Sequence, residues 1–158
     1  MSVDVVLTNS ATEIVDEALN ELHPQAYPHY SALGETVVRQ YLTDLFDLVV
    51  QGVTNREAVH LVQHAEKIAE DRFHAGFDLG EVQASFNALE QAMWRRIVAV
   101  EDGAELLTSV GMLSSILGAG KDALARVYVH LASYRHAPHV DVAALYGGTE
   151  GATTPTHP

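Results

Sequence analysis

The stretch DRFHAGFDLGEV, residues 71–82, decides how the chain folds. Apolar residues recur at helical spacing up to Phe73, stop at Gly76, and resume after Asp78. Gly76 suits the left-handed residue that closes a helix. Asp78 followed by Glu81 forms a capping box, in which each side chain satisfies a free backbone amide of the other residue. One helix therefore ends and the next begins within a tight corner. Arg72 falls inside the apolar arc of the first helix, between Ala65, Ala69 and Phe73. A guanidinium there must meet a carboxylate, backbone carbonyls or an anionic ligand, or extend along its stem to water.

Helical periodicity continues on both sides of this corner. Upstream, Ser10 and Glu13 have capping-box spacing, and Ile14, Val15, Ala18, Leu19 and Leu22 follow at helical intervals until His23-Pro24. PQAYPHY reads as a connector. A second pattern carries Val37, Val38, Tyr41, Leu45, Leu48 and Val49 up to Gly52, and TNRE at 54–57 reads as another capping box. Downstream of the corner, Val82, Phe86, Leu89, Met93, Ile97 and Val100 form one stripe. A last long helix is expected from near Ala104 to about Ala137, with a kink or a close helix crossing at the GAG of residues 118–120. VDVVL at 3–7 is the sole strand candidate, and it would be isolated. The predicted fold is all-α, a bundle of about five or six helices. It is expected to span residues 1–137, with a flexible tail over 138–158 whose apolar piece is VDVAALYG.

Composition narrows the function. The 158 residues suit one domain, and 47% hydrophobic content supports a packed core. A formal charge of −12 argues against nucleic acid and anionic membrane surfaces as partners. No apolar run approaches the ~20 residues of a membrane span. The N-terminus lacks the features of a secretory signal, so a cytoplasmic location is expected. The absence of cysteine excludes disulfides, thiolate nucleophiles and thiolate metal sites.

Among the histidines, His60 and His64 lie one helical turn apart, with Glu57 and Asp71 near the same line. The pair could hold a divalent ion if further ligands converged, although Leu61 stands where a metalloprotease would have its glutamate. The plainer alternative is a solvated face. His74, before the corner, is either a helix-end cap or, in a globin-like arrangement, a haem ligand. Trp94, at the edge of its stripe, suits either an interface or a core margin. GAGKD at 118–122 fails as a phosphate loop, because Ser115 and Asp122 occupy positions that need Gly and Ser/Thr. No nucleophile sits in a catalytic setting, so an enzyme is not expected, and no cofactor is assigned.

The stretch HAEKIAEDRFHAGFDLGEVQASFNALEQAMWRRI, residues 64–97, resembles the N-terminal, non-haem globin-like sensor domain of RsbR-type stressosome regulators and related bacterial signalling proteins. Arg72, Gly76-Phe77, Asp78-Leu79, Glu81-Val82, Phe86, Leu89 and Trp94 carry the resemblance. Looser similarity runs from Ile14 through Tyr30 to Tyr134. The resemblance implies a globin-like bundle that dimerises, binds no haem and signals through protein contacts. It also implies that Arg72 holds the corner. The dimer contact is expected on the N-terminal helix and the long final helix. No output domain is expected after Pro158, and a stand-alone copy would compete for relatives' dimer interfaces, act on a separate partner, or sense a ligand alone.

Overall fold

The structure, a computed structural model, describes residues 1–22 and 26–136, with side chains to residue 134. The tail expected to be flexible lies outside the described residues. Among those residues there are seven helices and no strand: α1 (Val3–Asn9), α2 (Ala11–Glu21), α3 (Pro28–Leu33), α4 (Glu35–Asn55), α5 (Val59–His74), α6 (Leu79–Val100) and α7 (Gly103–His136). The fold is all-α, consistent with a globin-like bundle.

The helix count exceeds the expected five or six because two short helices lie where none is predicted. VDVVL, the strand candidate, forms most of α1. An isolated strand has no partner for its backbone, whereas a helix satisfies its own and buries Val6 and Leu7. The connector PQAYPHY contains the start of α3, with Pro28 in its first turn.

Of three predicted capping boxes, one forms. Asp78 and Glu81 make both reciprocal bonds. Ser10 lies before α2 but makes no side-chain cap. TNRE is not a helix start: α4 runs on through Gly52 to Asn55, Arg56 ends it in the left-handed conformation, and α5 starts only at Val59. Gly52 stays helical because its missing side chain makes room for another helix: a Cβ there would lie 2.9 Å from Ile116 Cγ2.

α7 is continuous through the GAG segment, which serves as a close crossing. A Cβ on Gly120 would lie 2.9 Å from Phe86 and 3.3 Å from Leu61. α5 packs mainly on α7, and α6 lies against both α7 and α2. The space between these helices is filled by Leu61, Phe86, Leu89, Met93, Leu113 and Leu117, all essentially inaccessible. Val100, predicted to belong to the α6 stripe, instead stands at the helix end, 57% exposed.

α2 turns its apolar face inward and its acids toward basic residues of α4 and α6. Arg39 pairs with Asp16, Arg95 with Glu17, and Arg96 with Glu13 at 3.2 Å. Such partly solvated pairs contribute at most about 1 kcal/mol each, so they orient α2 more than they stabilise it.

Candidate functional site

The α5–α6 corner gathers side chains from five helices. Its backbone comes first. The Phe77 N–H donates to the Arg72 carbonyl at 3.0 Å, and the Gly76 N–H donates to the Phe73 carbonyl at 3.2 Å. These paired bonds form a Schellman closure, with Gly76 at φ +89°. Asp78 then accepts from the Glu81 N–H at 2.8 Å, and Glu81 accepts from the Asp78 N–H at 3.3 Å. Closure and opening thus share one short segment, which leaves Phe77 buried between them.

Phe77 is the hub. The His29 ring from α3 lies 4.9 Å from it, and the Tyr30 ring meets it edge-on at 5.0 Å. The Tyr128 hydroxyl of α7 donates to its carbonyl at 2.9 Å. His29 Nδ1 also reaches both carboxylate oxygens of Glu81, at 2.7 and 2.8 Å. The N-terminal cap of α6 is therefore also the anchor of α3.

Ser85, one turn into α6, connects two tyrosines. Its hydroxyl donates to the Val82 carbonyl at 2.7 Å. Having a single hydrogen, it must accept from Tyr41 at 2.7 Å, as it accepts from Tyr30 at 3.3 Å. Burial pushes the Tyr41 phenol well above its ordinary range and raises that of Tyr30, while the charge of Arg72 pulls both down. Both phenols are held neutral.

Arg72 sits within this group. Its guanidinium carbon lies 5.1 Å from the Tyr41 ring centroid and 5.2 Å from that of Phe77. Among the described residues, no carboxylate comes within ion-pair range of it. Its Nε is buried without a hydrogen-bond partner. Aromatic faces, rather than an acid, surround the cation.

This corner coincides with the centre of a known family. Residues 9–145 match the family described as the RsbT co-antagonist protein rsbRD N-terminal domain. The chain belongs to that family. It is a stressosome-type regulatory domain, and its matched region includes all of the corner. Neither a curated protein nor a solved structure shows significant similarity to it.

The other candidates of this rsbRD-type domain lie apart from the corner. Trp94 is 45% exposed on α6, beside a cleft of about 240 Å³ lined by Glu90, Ser114 and Lys121. Lys121 donates to Glu90 at 2.8 Å and to Asn87 at 3.1 Å, which ties α7 to α6 there. His60 is exposed, and so are Glu57 and Asp71. His64 is half-buried, with Nε2 buried and unpartnered, and burial lowers its pKa against the opposing pull of Asp44. Among the described residues, no group of three or more His, Asp or Glu is placed to hold a metal ion. His74 is exposed, its ring edge-on to Phe73 at 5.7 Å. No described helix is long and apolar enough to cross a membrane.

The sequence points to Arg72 and the cap, whereas His29, Tyr30, Tyr41, Ser85 and Tyr128 beside them carry no local signal of belonging there. The nearest clue is the HY pair inside the expected connector, since an aromatic and an imidazole beside a proline are poor candidates for a solvated loop.

Proposed function

We propose that the chain is a non-enzymatic, cytoplasmic sensor or regulatory domain that acts through homodimerisation and protein contacts in stress signalling. The observation that carries this reading is a set of large apolar side chains left exposed on α6 and α7. Trp94 and Val98, one turn apart on α6, are 45% and 40% exposed, and Leu107 on α7 is 76% exposed. The helices run antiparallel, and Trp94 and Ser114 share a cleft; Ser114 lies two turns from Leu107 on the same face of α7. Exposed Gly111, between them, leaves the surface low enough for another helix to approach. An aromatic among such side chains suits an interface.

These side chains draw the dimer contact toward α6 as well as the long final helix. α2 supports it less well, because Ile14, Val15 and Ala18 are buried and its outward positions are charged. In this reading Arg72 is a brace. It holds the corner between two ring faces, and membership of a regulatory family favours that role over anion binding. Sedimentation of the purified chain at micromolar concentration tests the proposal: a dimer is expected, and a monomer overturns it.

A further inference from the structure

At the opposite end of α6 from the corner, Glu101 closes the helix with its side chain almost wholly buried, 8% exposed. Its Oε2 is inaccessible and has no hydrogen-bond partner, and among the described residues no cation pairs with it. That oxygen loses hydration without compensation, while Oε1 is not among the inaccessible atoms and is the one a ligand can reach. Glu101 lines an open surface cleft of about 370 Å³ between the start of α1, the end of α4 and the start of α7. This volume lies within the roughly 300–1,000 Å³ of small-molecule sites.

Arg56 faces the same cleft, also without an ion pair among the described residues. It is the one non-glycine residue described with positive φ, at +58°. That conformation is the left-handed closure of α4, which sets the Arg56 side chain at the edge of the cleft. Val3 and Met112 supply apolar wall, and Glu105 adds a second acid. The charged side chains are therefore two carboxylates and one guanidinium, and the lining also includes Met1, the N-terminal residue, with Ser2, Thr108 and Ser109. A metal ion does not suit them, since no three-ligand group forms among the described residues.

We propose that this cleft binds a free α-amino acid with an apolar side chain. The ammonium is received by Glu101 and Glu105, the carboxylate by Arg56, and the side chain by Val3 and Met112. The site shares no residue with the corner or with the exposed Trp94, Val98 and Leu107, and its test reads ligand binding rather than oligomeric state.

The test is titration of the full chain with L-leucine, L-isoleucine, L-valine, L-methionine and L-phenylalanine, read by thermal shift and by amide chemical shifts. At least one is expected to bind saturably below about 10 mM. Its N-acetyl derivative and its amide, each lacking one charge, should bind at least about tenfold more weakly. Glu101→Gln should weaken binding by a similar factor. Arg56→Gly should do the same while melting no lower than the parent chain, because glycine accepts the left-handed backbone. That variant separates loss of binding from loss of fold. The proposal is overturned if none of the five amino acids binds saturably, if the amide binds as well as the free acid, or if Arg56→Gly leaves affinity unchanged.

Discussion

The guanidinium of Arg72 lies over the ring of Tyr41, 5.1 Å from its centroid, and the hydroxyl of that tyrosine donates to Ser85. One side chain thus offers its face to a cation and its tip to a neighbouring helix. This arrangement determines how the corner responds to substitution.

Arg72→Ala removes two cation–ring contacts and the packing of the aliphatic stem. A loss of about 1–3 kcal/mol is expected in urea unfolding. Arg72→Met, which keeps an unbranched stem, should recover part of that loss. A loss much above 4 kcal/mol for Arg72→Ala would point instead to a broken buried ion pair, against the brace reading.

Ser85→Ala leaves two buried phenols without their shared acceptor. The expected cost is about 1–3 kcal/mol, greater than that of Tyr41→Phe, which removes a donor and leaves Ser85 still paired with Tyr30. Equal effects from the two substitutions would show that the hydroxyl cluster does not act as a unit. A double-mutant cycle measures the coupling.

Two glycines should respond differently to alanine. At Gly76 a Cβ meets nothing within 4 Å, so the cost is backbone conformation alone, about 1 kcal/mol. At Gly120 the backbone is helical but the Cβ would press on Phe86 at 2.9 Å, and overpacking costs about 1–3 kcal/mol. Thermal unfolding of both variants gives the comparison. Gly120→Ala should melt lower.

His64 makes stability depend on pH. Burial lowers its folded-state pKa below the ordinary 6.5. The unfolded chain then binds the proton more readily, so its contribution is fully present above pH 6.5 and is lost as pH falls through the lowered value. His64→Leu should flatten the stability profile below neutrality without lowering stability at pH 7. An unchanged slope would rule out His64 as its source.

Trp94→Glu and Leu107→Glu place charge among the exposed apolar side chains of α6 and α7. Each is expected to convert the proposed dimer to monomer in sedimentation while leaving far-ultraviolet circular dichroism unchanged, because neither side chain belongs to the buried core. Dimers that survive both substitutions would place the interface elsewhere.

The sequence shows the corner's backbone because its causes are local. Gly76, Asp78 and Glu81 act on amides within a few positions of themselves. The same four-residue pattern places the start of α2 correctly at Ser10 without forming the box there, and it misleads at Thr54, where α4 runs on to Asn55. Arg72 stands out as a cation on an apolar arc, yet its surroundings stay hidden. Tyr41 and Ser85 are separated by 44 positions, and Tyr30 and Ser85 by 55. Nothing in a periodic pattern marks pairs so distant. α1 is misread for a related reason: β-branched residues lean toward strand only weakly, and burial of Val6 and Leu7 overrides them.

The hydroxyl of Tyr128 ties the final helix to the corner, while the glycine at 120 lets that helix cross its neighbours closely. Together they give α7 the form of a lever, with a fulcrum at the crossing and a tether eight residues beyond it. From Gly120 to His136 the axis runs about 24 Å, so a swing of about 5° displaces its tip by about 2 Å. A small repacking around Phe77 would be amplified along the rod before it reached whatever the helix touches.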